Sequence, residues 1–212
     1  MGVTPIIWVT GDTHGDWIHT VNVDSFPEQR EMSKDDYVII LGDFGIWRDS
    51  PQQRWYLNWL EEKHFTTLFI DGNHENYDIL DSYPVEEWHG GKVHFIKPSI
   101  IHLMRGQVFD IDGLKFFTFG GAASHDISDG VLEIDDPRVK EWRDDPDKMY
   151  RINHISWWER EMPNQEEMDE GIKNLAEHNN KVDFILTHCT ASSTAALLSH
   201  GLYKPDKLTN YL

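Results

Sequence analysis

The sequence contains one cysteine, few basic residues and no long apolar segment. A single Cys among 212 residues excludes an internal disulfide, which is typical of proteins kept in a reducing compartment. No apolar run approaches the roughly 20 residues of a membrane-spanning helix. The first ten residues, MGVTPIIWVT, also lack the basic region of a signal peptide. We therefore expect a cytoplasmic protein with no membrane partner.

The chain is strongly acidic. Lys and Arg total 19 against 37 Asp and Glu, which gives a formal net charge of −18. Such a surface repels the phosphates of a nucleic acid unless a basic cluster overrides it, and the sequence has no such cluster. Nucleic acid is therefore not expected as a partner. A small anionic substrate is compatible with this charge, because bound cations reverse the field of a local site.

The pattern of apolar runs predicts one α/β domain over residues 1–212. Three runs each end in a polar turn that contains glycine: IIWVT before GDTHG, DYVIIL before GDFG, and TTLFI before DGNHE. A fourth run, KVDFILTH, ends in a histidine. Helical spacing in PQQRWYLNWLEEK, between the second and third runs, favours βαβ units. We expect all four strands in one sheet, with ligands at their carboxyl ends.

The middle of the chain predicts a second sheet and a loop excursion. The short runs KVHFI, SIIHLM, QVFDI and LKFFTF are separated by turn residues, so we assign them to a second sheet packed on the first. Residues 124–153 are rich in Asp and show no periodicity, which predicts a mobile flap near the site. A helix is expected over NQEEMDEGIKNLAEHN, with Asn164 as its N-cap.

Each of the four predicted strand ends carries side chains of the kind that bind metals. These residues are Asp12, His14, Asp43, Asn73, His74 and His188. Carboxylates together with imidazoles favour Zn, Mn or Fe over Ca or Mg. Any one of these motifs alone is weak evidence for metal binding. Their joint occurrence at successive strand ends predicts a metal site.

The motifs GDTHG, GDFG, GNHE and LTHC, in this order, resemble the calcineurin-like metallophosphoesterase superfamily over Ile6 to His188. The resemblance implies a two-sheet α/β/β/α sandwich. The segments GGAASHD (Gly120 to Asp126) and SWWERE (Ser156 to Glu161) resemble a bacterial and phage-related subgroup. In that subgroup, these segments border the mouth of the active site.

The resemblance also implies roles for individual residues. Asp12 and His14 match ligands of a first metal, Asp43 the carboxylate that bridges both metals, and Asn73 and His188 ligands of a second. Two divalent or trivalent ions, Mn, Fe or Zn, are therefore expected. His74 matches the residue that contacts the substrate phosphate and protonates the leaving group. The residues expected to bind substrate are Asn73, His74, His125 and Arg48.

The function that follows is hydrolysis of a small phosphomonoester or phosphodiester by a metal-bound hydroxide, with Asp43 and His74 as the catalytic residues. A Ser/Thr protein phosphatase is one alternative, because GNHE matches that branch. Ile46 and Trp47, however, replace the Asp and Arg of its GDxxDRG motif. A nuclease is disfavoured by the charge. A non-catalytic phosphoesterase-fold binding module is the alternative from another class, and the oligomeric state is left open.

One motif of the superfamily is missing from the sequence. The GHxH motif, which supplies one ligand to each metal, has no counterpart, and His200 in SHGLY precedes a predicted helix instead of following a strand. We therefore expect a chain that is shortened at its C-terminus and lacks its last strands. The metal site is expected to be incomplete, with about three protein ligands for each metal when Asp43 is counted twice.

Overall fold

The larger of two main β-sheets carries three of the motif turns. The computed structural model describes residues 4–212, and within them this sheet has six strands in the order β1-β2-β3-β6-β5-β4. The strands β1, β2, β3 and β6 are parallel, and β5 and β4 continue the sheet antiparallel. Their bounds are β1 Ile7–Thr10, β2 Tyr37–Leu41, β3 Thr66–Ile70, β4 Val85–Trp88, β5 Gly91–Lys97 and β6 Ile100–Leu103.

Two smaller sheets complete the β-structure of residues 4–212. One has three strands in the order β11-β8-β7, with bounds β7 Gln107–Ile111, β8 Leu114–Phe119 and β11 Phe184–Thr187. In it β7 and β8 form an antiparallel hairpin, and β11 lies parallel to β8. The other is a parallel pair of β9 (Gly130–Leu132) and β10 (Tyr150–Ile152).

The helices are short apart from two, and both of these have a side-chain N-cap. The long helices are α2 (Pro51–Glu61), capped by Ser50, and α5 (Gln165–Glu177), which has a full capping box between Asn164 and Glu167. The others are α1 Trp17–Thr20, α3 Tyr77–Leu80, α4 Pro137–Trp142, α6 Ser192–Leu198 and α7 Lys207–Tyr211, with 3₁₀ turns at Pro27–Glu31 and Glu159–Glu161.

Alternation along the strands produces a four-layer sandwich. In β2, Ile39 packs against the three-stranded sheet, whereas Val38 and Ile40 pack on the opposite face with α2. The cluster between the two sheets includes Leu68, Ile101, Phe109, Phe116 and Leu186. The outer face of the three-stranded sheet packs on α5 and α7. The residues in this contact are Val108, Phe117, Phe119, Met168 and Leu208. The layers are therefore α/β/β/α, and the predicted fold class is confirmed.

Three expectations about the elements are wrong in detail. The runs KVHFI and SIIHLM belong to the first sheet, because β6 pairs with β3 and β5 pairs with β6. The strand that ends before His188 belongs to the second sheet, because β11 pairs with β8. The segment from 124 to 153, expected as a loop excursion, contains the short elements β9, α4 and β10.

Within residues 4–212, no helix combines the length and the apolar composition needed to cross a membrane.

Candidate metal centre

The candidate ligands lie in turns at the carboxyl ends of β1, β2, β3 and β11. Two of these turns are held in conformations that side chains rarely adopt, since His14 and Asp43 both have φ of +47°. Glycine allows the turns to approach one another closely. A Cβ atom on Gly42 would lie 2.2 Å from His188 Nδ1, and one on Gly72 would lie 2.0 Å from Asp43 Oδ1. The glycines of these motifs therefore make room for the site.

Four of the predicted ligands converge on one small volume. One ligand atom each from Asp12, His14 and Asp43 lies within 4.8 Å of those of the other two. His14 Nε2 is 3.6 Å from Asp43 Oδ2 and 3.9 Å from Asp12 Oδ2. His188 joins them from the other sheet, with Nε2 3.4 Å from Asp43 Oδ1 and Nδ1 3.6 Å from Asp12 Oδ1. Both carboxylates therefore lie near both imidazoles, and Asp43 makes the shorter of the two contacts with each ring.

These separations match a donor set built for metal ions. Two ligand atoms held at about 2.1 Å from one ion at a tetrahedral angle are about 3.4 Å apart. The separations that involve His14 Nε2 and His188 Nε2, 3.4 to 3.9 Å, lie at or just above that value. His188 Nδ1 is oriented by the Leu41 carbonyl, 2.8 Å away, which leaves Nε2 as the donor atom of this ring. Asp43 and His188 form the floor, with side chains 4% and 10% exposed, whereas Asp12 and His14 lie at the mouth. The residues present therefore fit the metals expected from the motifs.

Asp43 and His188 shift each other's pKa in opposite directions, which favours a proton on His188. Burial alone would raise the pKa of Asp43, but the hydrogen bond and charge of His188 and the backbone N–H of His74 outweigh it and lower that pKa. Burial alone would lower the pKa of His188, but Asp43 outweighs it and raises that pKa to about 9. Histidine binds metals in its neutral form, so a cation entering here releases this proton.

Asn73 is oriented by two residues from outside the motif turns. Its Nδ2 donates to Ser124 Oγ over 3.4 Å, and Ser124 Oγ donates to Glu161 Oε2 over 2.7 Å. Ser124 N–H also donates to Glu161 Oε1. No hydrogen bond within residues 4–212 engages Asn73 Oδ1, the atom of an amide that binds cations. Glu161 thus fixes which way the Asn73 amide faces.

Glu75 holds the turn that carries Asp43. Its carboxylate accepts hydrogen bonds from the backbone N–H groups of Phe44, Gly45 and Ile46, at 2.6, 3.1 and 3.2 Å. Complete burial, together with the nearby Asp43 carboxylate, raises the pKa of Glu75 to about 8 in spite of these three donors. Glu75, the last residue of GNHE, therefore has a structural role in holding this turn. The sequence did not indicate that role, because the candidate ligands of the same motif drew the interpretation.

His74 lies beside the candidate metal donors. Its backbone N–H donates to Asp43 Oδ1 over 2.8 Å, and its ring lies 5.0 Å from His14 and 5.7 Å from Trp47 between centroids. Arg151 Nη2 is 3.4 Å from His74 Nε2. Burial lowers the pKa of His74, and Arg151 and His14 act in the same direction.

Arg151 is the residue beside the candidate site that the sequence concealed most completely. It lies in β10 and forms a bidentate pair with Asp126, with both separations 2.8 Å. No motif or spacing signalled it, because its position depends on how the segment 124–158 folds back onto the site. Arg48 lies on the wall of an adjacent cleft and is exposed. His125 is also exposed, and no hydrogen bond or ion pair among residues 4–212 joins it to the metal donors.

Comparison with known families agrees with this geometry. Residues 6–199 match the family model described as calcineurin-like phosphoesterase. The chain therefore belongs to that family, whose members are in general hydrolases and typically bind divalent metal ions, although some are non-catalytic. Neither the comparison with curated proteins nor that with solved structures returned a match.

Proposed function

We propose that the chain is a two-metal phosphoesterase that hydrolyses a small phosphomonoester or phosphodiester. The observation that carries the proposal is the convergence of Asp12, His14, Asp43 and His188 at separations of 3.4 to 3.9 Å. Asp12, His14 and Asp43 hold one metal, and Asp43, Asn73 and His188 hold the other. The metals are Mn, Fe or Zn, because the donors combine carboxylate, amide and imidazole groups.

Residues around the site hold the metal ligands in fixed positions. When bound, two divalent cations polarise the phosphoryl group and lower the pKa of water at the site. Asp43 is fixed for this task by the His74 N–H group and by close contact with Gly72. Asn73 is fixed through Ser124. Such preorganisation keeps the donors from having to rearrange during the reaction.

His74 donates a proton to the departing oxygen. Its Nε2 atom faces the Arg151 guanidinium, which is a donor, so this nitrogen is an acceptor in the structure. A phosphate anion bound beside both residues favours the imidazolium, because an opposite charge stabilises the protonated form. The same anion pairs with Arg151. His74 then releases its proton to the leaving group as the ester bond breaks.

Hydrolysis of generic esters tests this proposal. Chelator-treated protein should be inactive toward 4-nitrophenyl phosphate and bis(4-nitrophenyl) phosphate. Added Mn²⁺, Fe²⁺ or Zn²⁺ should restore turnover of at least one of them. Equal hydrolysis with and without metal would show that another chemistry operates. The absence of hydrolysis with every metal would favour a non-catalytic binding module.

A further inference from the structure

A large cleft opens beside the candidate metal centre. It has a volume of about 840 Å³, and its lining includes His14 and Arg151. Its walls come from the loop after β2, from the first turns of α2 and from residues 151–156. Small-molecule sites occupy roughly 300–1,000 Å³. The cleft can therefore hold the part of a substrate that extends from the phosphate.

The charge of this cleft differs from that of the whole molecule. The chain has a net charge of −18, yet none of the described residues that line the cleft is an Asp or a Glu. Its charged members are Arg48 and Arg151. Arg151 is paired with Asp126, whereas the Arg48 guanidinium makes no hydrogen bond or ion pair within residues 4–212. This lining favours an anionic ligand over a neutral or cationic one.

Two half-buried aromatic rings, Trp47 and Tyr56, form part of the wall. The loop that carries Trp47 is held firmly. Gln53 Oε1 accepts from the backbone N–H groups of Trp47 and Arg48 at 3.2 and 2.7 Å, and Asn76 Nδ2 donates to the Trp47 carbonyl at 3.0 Å. The indole N–H donates to the His14 carbonyl over 3.4 Å. A fixed aromatic surface of this kind binds planar rings by stacking.

We propose that the substrate is a nucleoside phosphoester, with its base held in this cleft against Trp47 and Tyr56. The inference rests on the proposed function, since the phosphate itself lies at the metal centre. Arg48 adds a cation for a second phosphate or for the ribose hydroxyls. The combination of anion selection, planar aromatic walls and adequate volume fits a nucleotide better than a sugar phosphate or an alkyl phosphate.

The sharpest test compares adenosine 5′-monophosphate with ribose 5-phosphate in the presence of Mn²⁺. Both release a phosphate from the same primary hydroxyl group of ribose, so the chemistry is matched and only the base differs. We expect kcat/KM to be roughly 10- to 100-fold higher for the nucleotide, the range expected for stacking of one base.

Variants connect that ratio to the cleft. Tyr56→Leu and Trp47→Leu should each reduce the ratio several-fold, even if Trp47→Leu also slows both substrates through its contacts with His14 and His74. Trp88→Leu is the matched control, because Trp88 lies in β4 and packs on Tyr37 and Phe109, none of which lines the cleft. It should leave the ratio unchanged. Equal loss of the ratio in the control would overturn the assignment to this cleft.

The outcomes separate this inference from the proposed function. Equal kcat/KM for the two substrates overturns the nucleoside assignment and leaves the hydrolase proposal standing. Hydrolysis of 4-nitrophenyl phosphate without hydrolysis of either ribose compound also overturns the nucleoside assignment and leaves the hydrolase proposal standing. If no ester is hydrolysed, the hydrolase proposal fails. Calorimetric titration with the same two compounds then tests nucleotide binding in the cleft without any need for hydrolysis. Tighter binding of adenosine 5′-monophosphate supports the inference, and equal affinity for both compounds overturns it.

Discussion

Asp43 is the residue whose loss should damage the site most. Its carboxylate faces both imidazoles and is almost fully buried. We expect Asp43→Asn to lower kcat/KM roughly a thousandfold or more, because several kcal/mol of charge stabilisation depend on the metals. Steady-state kinetics should show this loss of activity, and metal analysis should show a lower metal content. The circular dichroism spectrum should be unchanged. Asp135→Asn, on an exposed loop, is the control. Full metal content and normal turnover in the Asp43 variant would refute its bridging role.

His74 should affect the chemical step and not metal retention. We expect His74→Asn to lower kcat by roughly 10²–10⁴-fold, the usual contribution of a general acid, with metal content preserved. The loss should shrink for esters with acidic leaving groups, since these depart without a proton. Rates for a series of aryl and alkyl phosphates provide the measurement. If metal loss accounts for the whole defect, His74 is a ligand.

Ser124 should act on the metals through Asn73. Ser124→Ala removes the oxygen that accepts from the Asn73 amide and donates to Glu161. We expect Mn²⁺ affinity to fall roughly 10- to 100-fold, as for other groups that orient metal ligands. Calorimetric titration with Mn²⁺ measures this, and Ser128→Ala, at an exposed site, is the control. Unchanged affinity would mean that Asn73 is held by other contacts or is not a ligand.

At the scale of elements, one buried ion pair joins the end of β3 to the turn between β6 and β7. Arg105 Nε donates to Asp71 Oδ2 over 2.8 Å, and both side chains are almost completely buried. Tyr77 Oη also donates to Asp71 Oδ2. Burial alone would raise the pKa of Asp71, but the charge of Arg105 outweighs it, so that pKa lies far below its usual value.

Breaking this pair should destabilise the fold. We expect Arg105→Met to reduce the free energy of unfolding by about 3–5 kcal/mol, because it leaves the Asp71 carboxylate buried without its cation. Urea unfolding measures the change. The double variant Asp71→Asn with Arg105→Met should recover part of the loss, since no buried charge then remains. A single variant as stable as the wild type would show that water or His102 compensates.

Strand identity was more predictable than strand partnership. The apolar runs before GDTHG, GDFG and GNHE gave β1, β2 and β3 nearly to the residue, because a buried strand followed by a glycine turn is a local signal. The run KVDFILTH also gave β11, although the strand covers only Phe184–Thr187. Pairing of β11 with β8 depends on contacts between segments about 70 residues apart, so the local pattern could not place it.

The same limit applies to the site. Residues in the motif turns could be named from the sequence because each motif combines a ligand side chain with the glycine its turn needs. Arg151 could not, and Glu161 could be placed only within a segment near the mouth of the site, since their contacts arise only when the segment after β8 folds back onto the motif turns. That segment lacked periodicity because β9 and β10 have three residues each and α4 has six. Elements so short carry little pattern.

At the scale of the whole molecule, metal binding should stabilise the fold. A ligand at 100 times its Kd adds about 2.7 kcal/mol, and each kcal/mol raises Tm by roughly 2–4 °C in a domain of this size. We expect Tm to rise with Mn²⁺ concentration and to return to the metal-free value after chelation. Differential scanning calorimetry measures this. An identical rise in Asp43→Asn would place the stabilising metal elsewhere.

The central claim is that two metal ions share Asp43, and anomalous X-ray scattering from a crystal grown with Mn²⁺ tests it most directly. We expect two peaks about 3.5–4 Å apart, one beside Asp12 and His14 and the other beside Asn73 and His188, with the Asp43 carboxylate between them. No peak at these residues, or a single peak that Asp43 does not contact, would contradict the account.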